Sequence, residues 1–345
     1  MKKVIALLMT TMIAGTMVGC GSSNKTSEAQ KATKSFSVAM VTDTGGVSDQ
    51  SFNQSSWEGL QKFEKSTGAK VSYLESKQET DYVTNLDKLV DANNNLIWGV
   101  GFAMSDAILN AAKTNKDVSY AIVDNSYGDK TPDNVTGVMF SAQEPSFIVG
   151  YIAGKTTKTD RVGFVGGINN PIIDQFQYGY QAGVLYAAKE LGRTINVDVQ
   201  YAESFSDASK GKAIANKMFS SGCDIIFHAS GGTGVGVIDA AKEAGKFAIG
   251  VDRDQSYLAP DNVLTSALKL VNVAVEKVSS EAMNGTKIGG KTYTYGLKED
   301  AVGIPTENKN VNPEVYNAAI KLEDQIKAGA IVVPYNQQTY KEFSK

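Results

Sequence analysis

Eight short apolar runs, falling into two matched series, constrain this chain more than any other feature. The first series begins at about residues 36 (FSVAMV), 70 (KVSYLE), 96 (LIWGVG) and 118 (VSYAIVD), and the second at about 162 (VGFVGG), 195 (INVDVQY), 224 (DIIFHAS) and 247 (FAIGVD). The intervals are 34, 26 and 22 residues in the first series and 33, 29 and 23 in the second. Each leaves room for a crossover helix, and β-rich runs alternating with amphipathic stretches are the pattern of parallel α/β units. Ser51 to Lys65 places Phe52, Ser56, Gly59, Leu60 and Phe63 on one helical stripe, and Asp207 to Phe219 places Ile214 and Met218 similarly. Two lobes of like topology follow from this. Residues 265–345 add a helix over Val271 to Met283, a strand-like TYTYG, a helix after Pro313 and a short IVV run. These are too few for a third domain of ordinary size, so they return to complete the two lobes.

The N-terminus is read apart from the fold. Lys2-Lys3 is a short positive region, Val4 to Ile13 an apolar core, and Met17-Val18-Gly19-Cys20 follows it, which resembles a bacterial lipobox. Cleavage before Cys20 would free that thiol for acylation by diacylglycerol and palmitate. The rival reading is a transmembrane helix, since the chain is uncharged between Lys3 and Lys25. Thr10, Thr11, Gly15, Thr16 and Gly19, however, leave the apolar stretch short of the roughly 20 residues a span needs. Residues 21–35, GSSNKTSEAQKATKS, carry almost no apolar side chains and read as a flexible tether. The 2 cysteines agree with export: Cys20 sits at the cleavage site, leaving Cys223 a free, buried thiol with no internal partner.

Net charge is −3, from 34 basic and 37 acidic residues, and no window gathers Lys and Arg into a stripe. A nucleic-acid polymer is thereby excluded as a partner. In open parallel sheets ligands bind beyond the carboxyl ends of the strands, where helix N-termini leave backbone donors unpaired. After the first run of the first series stand Asp43-Thr44-Gly45-Gly46 and then Asp49-Gln50-Ser51-Phe52-Asn53; after the fourth stand Asp124-Asn125. The second series offers Glu203-Ser204-Phe205-Ser206-Asp207, Ser230-Gly231-Gly232-Thr233-Gly234 and Asp252-Arg253-Asp254-Gln255. Asp49 and Asp207 read first as helix caps. Phe52 and Phe205 sit in polar loops, where a core role is a weak explanation, and the glycines permit close backbone approach to a ligand.

Enzyme motifs fail. Gly150 to Thr156 imitates a phosphate loop but has three residues between its glycines and no strand before it, and Gly232 to Gly236 lacks the third glycine of a dinucleotide fingerprint. The single His, His228, lies inside a strand run and reads as a satisfied core residue. Metal-ligand clusters and nucleophile triads are absent from the sequence, so neither a metal nor a cofactor is expected.

The leader, Asp43-Thr-Gly-Gly-Val-Ser-Asp-Gln-Ser-Phe-Asn53-Gln-Ser-Ser-Trp-Glu-Gly59, the run Tyr120 to Asp124, Ser204 to Asp207, and Gly250-Val-Asp252-Arg-Asp-Gln255 with Leu264-Thr-Ser-Ala-Leu-Lys269 together resemble the BMP family of basic-membrane-protein-like lipoproteins. That family supplies substrate-binding lipoproteins to ATP-driven transporters, its purine-nucleoside receptors being the nearest comparison. The resemblance implies a type I periplasmic-binding-protein fold of two Rossmann-like lobes joined by three crossovers. Its expected organisation is a signal peptide over 1–19, a lipidated Cys and tether over 20–35, a first lobe of 36–141 plus about 267–290, and a second of 142–266 plus about 291–345. Phe52 and Phe205 would stack on the two faces of a nucleoside base, and Asp43, Asn53 and Asp124 would bond its edge. Asp252, Lys269 and the backbone of Gly231-Gly232 would hold the ribose, with Asp252 and Lys269 approaching from different lobes.

The chemistry of these residue types agrees, since a neutral heteroaromatic wants π-faces and a vicinal diol wants a carboxylate with a cationic donor. The implied protein is a monomer, anchored by lipid at Cys20 to the outer face of the cell membrane, that hands nucleoside to an ABC transporter permease. Two other classes stay open: a sugar or autoinducer receptor on the same fold, and a nucleoside-cleaving enzyme, for which no His is placed.

Overall fold

A computed structural model describes residues 36–345. The expected signal peptide, Cys20 and the tether lie outside the described residues. Within them, the first lobe opens with β1 (Ser37–Thr42), α1 (Phe52–Thr67), β2 (Lys70–Leu74), α2 (Asp81–Asp91), β3 (Leu96–Val100), α3 (Ser105–Thr114), β4 (Ser119–Val123) and β5 (Val135–Phe140). The chain then enters the second lobe with α4 (Gln143–Thr156), β6 (Arg161–Gly166), α5 (Pro171–Leu191), β7 (Asn196–Tyr201), α6 (Ala208–Ser220) and β8 (Ile225–Ala229). It continues through α7 (Thr233–Ala244), β9 (Phe247–Asp252) and β10 (Val263–Lys269). It returns to the first lobe for α8 (Val271–Met283) and β11 (Lys291–Tyr295), and ends in the second with β12 (Val302–Gly303), α9 (Pro313–Lys327) and α10 (Gln337–Phe343). All eight expected strands are present, each starting within a residue of its apolar run.

Each lobe holds a six-stranded sheet, ordered β11-β5-β4-β3-β1-β2 in the first and β12-β10-β9-β8-β6-β7 in the second. Sequential crossovers impose this order. β1 pairs in parallel with both β2 and β3, and β6 does the same with β7 and β8, so each lobe switches winding direction at its first strand. Helices cover both faces, which is why β3 and β8 are buried throughout while the edge strands β2 and β7 carry polar, exposed positions.

The expected lobe boundary is wrong at both ends of the returning segment. β10 pairs in parallel with β9 and so belongs to the second sheet together with Lys269, whereas β11 pairs residue for residue with β5 of the first sheet. The first lobe therefore takes back Val271 to Tyr295, and the chain crosses between lobes after β5, after β10 and after β11. α8 fixes this return: it packs along α1, and its Ser279 hydroxyl accepts the indole N–H of fully buried Trp98 at 3.1 Å. Removing that acceptor would strand a buried donor at a cost of about 1–3 kcal/mol.

Candidate ligand cleft between the lobes

The carboxyl ends of both sheets face one cleft, which holds about 550 Å³ of empty space, its open mouth included. From the first lobe it is lined by Asp43, Asp49, Phe52, Asn53, Gly101, Phe102 and Asp124; from the second come Ile172, Ile173, Phe176, Phe205, Ser230, Gly231, Asp252 and Lys269. The structure thus gathers eight of the nine residues expected to bind ligand. Gly232 is the exception, standing beside the cleft as the cap of α7 and facing Asp49 of the other lobe.

Local structure explains how each side chain is aimed. Asp49 accepts the backbone N–H groups of Ser51, Asn53 and Gln54 at 2.8–3.0 Å, taking up the orphan donors at the start of α1. With the helix capped from two residues upstream, the Ser51 hydroxyl is free to donate across the cleft to Asp252. Asp207 caps α6 by accepting from Lys210, and the Phe205 loop is tied to α7 because the Phe205 carbonyl accepts the N–H of Thr233. Phe205 fits because Gly167 has no side chain: a Cβ there would lie 2.2 Å from the ring. Phe102 meets Phe205 edge-on from the opposite lobe, centroids 6.4 Å apart.

Charge in the cleft is unbalanced, with four aspartates against Lys269. The Lys269 ammonium is 2.5 Å from Asp124, both residues being almost fully buried. It also stands over the rings of Phe52, Phe140 and Phe176 at 4.7, 5.2 and 5.8 Å, within cation–π range. The expectation that Lys269 faces Asp252 from the other lobe is therefore corrected. Both residues end strands of the second sheet, and the partner that reaches Lys269 across the cleft is Asp124. Asp252 is left with the Ser51 hydroxyl, and burial pushes its carboxyl up to about 6 despite the nearby ammonium. Burial likewise raises Asp43 to about 6, against the opposing pull of its bonds from Gly45 N–H (2.8 Å) and Asn53 Nδ2 (2.7 Å).

The model of the Bmp family, described as ABC transporter substrate-binding protein PnrA-like, matches residues 36–337. The chain belongs to the Bmp family. Among curated relatives it is 43% identical to the CD4+ T-cell-stimulating antigen of Listeria monocytogenes, with 96% of this chain and 99% of that one covered. It is 41% identical to basic membrane protein A of Borreliella afzelii, covering 89% and 94%. A solved solute-binding protein of an ABC transporter system from Aeropyrum pernix superposes with TM-score 0.81 at 26% identity, covering 89% of this chain and 96% of that one. The fold is of the type I periplasmic-binding-protein kind, and the Bmp chain is a substrate-binding protein of the ABC transporter class.

For a Bmp protein the remaining expectations can be placed on this frame. His228 is fully buried, hydrogen-bonded to Gln255 at 2.9 Å and held neutral by burial, its pKa pulled down to about 4. It takes no part in the cleft. Cys223 is free and buried. Among the described residues no helix is long and apolar enough to cross a membrane, and no acid, His and Cys cluster could hold a metal. Sequence reasoning missed Phe102, Ile172, Ile173 and Phe176. The last three come from the first turns of α5, which Asn170 caps and Pro171 opens directly after β6, a start signal that puts that turn at the strand ends.

Proposed function

We propose that this Bmp protein binds purine nucleosides in the interlobe cleft as the lipid-anchored, extracytoplasmic receptor of an ABC importer. The observation that carries the reading is the pairing of phenyl rings from opposite lobes, Phe52 and Phe205, with a polar edge at Asp43 and Asn53 and a buried carboxylate and ammonium at Asp252 and Lys269. Flat apolar walls suit a base, stacking being worth about 1–3 kcal/mol per base. Asp252 is an acceptor for sugar hydroxyls, and Lys269 a donor close by. Bridging between lobes by Ser51 and Asp252, Gln50 and Tyr257, and Glu58 and Arg253 supports a mechanism in which lobes close on bound ligand. The lining offers nothing to activate water at a glycosidic bond by way of the chain's only His.

Native mass spectrometry of the protein as purified, followed by calorimetry with guanosine, inosine, adenosine and ribose, tests this. A retained nucleoside mass and saturable nucleoside binding are the expected results. Binding of ribose alone with indifference to nucleosides would replace the reading by a sugar receptor, and release of free base from inosine would replace it by an enzyme. The anchor is tested separately: Cys20→Ser should release soluble protein or leave an uncleaved precursor, and membrane retention at mature mass would overturn it. Stable anchoring needs more than one acyl chain, which a diacylglyceryl thioether supplies.

A further inference from the structure

The amide of Asn53 can be oriented from chemistry alone. Its Nδ2 lies 2.7 Å from Asp43 Oδ1 and 3.0 Å from Asp49 Oδ2, so both of its hydrogens are committed to carboxylates. A flipped amide would set its oxygen against two acceptors. Asn53 Oδ1 is consequently a fixed acceptor, buried and without a hydrogen-bond partner, on a residue that lines the cleft. Beside it, Asp43 Oδ1 is occupied by Gly45 N–H and Asn53 Nδ2, which leaves Oδ2 as the atom free to meet a ligand. One position is thus locked as an acceptor. The other accepts or donates according to whether Asp43 carries a proton.

Resting on the nucleoside reading above, we propose that the proton on Asp43 selects between the two kinds of purine edge. Ionised Asp43 beside Asn53 Oδ1 presents two acceptors, whose complement is a pair of adjacent donors, the N1–H and 2-amino group of guanosine. Protonated Asp43 presents a donor beside an acceptor, whose complement is N1 and the 6-amino group of adenosine. Those groups lie on opposite sides of N1, so the change of ligand turns the base over between Phe52 and Phe205. Stacking on phenyl faces tolerates this.

The surroundings of Asp43 make the proton available. Asp49 faces it from the approach to α1, Asp124 from the end of β4 and the Tyr82 phenol from α2, while Asp252 closes the far side from β9. Lys269, the cation lining the cleft, is engaged by Asp124. Burial above all, with a smaller push from Asp49 and Asp124, holds the Asp43 carboxyl up at about 6.

If the two complexes differ by one proton, linkage fixes the size of the effect without reference to any pKa. The adenosine-to-guanosine affinity ratio should rise about tenfold per pH unit lost, approaching about a hundredfold between roughly pH 7.5 and 5.5, where neither base titrates. At about pH 7.5 guanosine should also exceed inosine by about tenfold, because inosine leaves Asn53 Oδ1 unpaired. Calorimetry with the three nucleosides at both pH values reads this, and at about pH 7.5 two buffers of different ionisation enthalpy should report about one proton taken up with adenosine and almost none exchanged with guanosine. Asp43→Asn, whose amide keeps its oxygen toward Gly45 and aims its NH2 into the cleft, should favour adenosine at both pH values. Should that variant not fold, the wild-type series decides alone. Tight binding of all three with a ratio that moves less than about threefold would overturn the proton selector and leave the nucleoside reading standing. Absence of binding by every nucleoside would overturn both.

Discussion

Asp124 and Asp252 occupy the same place in the two lobes. Asp124 directly follows β4 and Asp252 ends β9, the fourth strands of their sheets, and each adopts a left-handed backbone, with φ of 63° and 65°, on the wall of the cleft. Aspartate tolerates that conformation better than most residues because its short polar side chain bonds locally. Their partners differ. Asp124 receives the ammonium of Lys269 from the opposite lobe, whereas Asp252 receives only a hydroxyl, from Ser51. Repeating a backbone device has placed two carboxylates symmetrically, and what crosses the cleft decides that one is paired with an ammonium while the other meets only a hydroxyl.

The sharpest way to break this comparison is at Lys269. In Lys269→Met the Asp124 carboxylate would be buried without its partner, a change that costs about 3–5 kcal/mol. Denaturant unfolding near neutral pH should show that loss, and Asp124→Asn combined with Lys269→Met should recover most of it, because neither charge is then stranded. Equal stability of the single and double variants would mean that the pair is not coupled.

Asp252→Ala should leave the fold intact and remove binding instead, by about 2–5 kcal/mol of nucleoside affinity if the closed site is dehydrated. The variant loses both the acceptor for the sugar and the Ser51 bridge between lobes. Small-angle scattering separates the two contributions: nucleoside should shrink the wild-type radius of gyration and leave that of the variant nearly unchanged. Equal compaction would assign closure to the stacked base.

The same residue predicts an opposite sign for stability. With its carboxyl raised from 3.8 to about 6, the folded protein binds more protons than the unfolded chain between those values, so this group's contribution falls as pH rises through that window and is fully unfavourable above it. Asp252→Asn, which keeps an acceptor for Ser51, should therefore stabilise the protein by about 2–3 kcal/mol at pH 7 and by little at pH 4. Asp124→Asn should destabilise it at pH 7, since it leaves Lys269 buried without a counter-ion. Unfolding curves at both pH values would show the two variants diverging, and a common sign would dissolve the contrast.

How much of this the sequence displayed follows from which interactions are local. The strand series and the helices behind it are periodic signals, so β1 to β4 and β6 to β9 were legible within a residue. The Asp49 and Asp207 caps and the buried His228 were legible for the same reason. β5 and β10 were not. VTGVMF and VLTSALK carry Gly, Thr, Ser and Lys among their apolar residues, and membership of a sheet is fixed by partners over a hundred residues away in the case of β11 with β5. Misplacing β10 put Lys269 in the wrong lobe, and with it the wrong carboxylate. The aromatic cage about Lys269 was hidden similarly, since Phe140 ends an unrecognised strand and Phe176 sits in a helix whose aromatic spacing reads as core.

The smallest expected effect separates the two phenyl walls. Phe52→Ala and Phe205→Ala should each weaken purine nucleoside binding by about 1–3 kcal/mol, roughly ten- to a hundredfold, because each deletes one face of the stack. The two rings are supported differently, though. Phe52 opens α1 and lies 4.7 Å under the Lys269 ammonium, so truncating it also removes a cation–π contact worth about 0.5–2 kcal/mol to a buried cation. Phe205 stands on a loop, its backbone pinned to α7 through Thr233 and its ring touching Phe102 edge-on. Calorimetry should therefore find similar affinity losses in the two variants, while thermal unfolding without ligand finds the larger fall in midpoint in Phe52→Ala. Wild-type affinity in both would refute the base sandwich, and equal unfolding midpoints would show that the first lobe's ring contributes nothing to holding Lys269 in place.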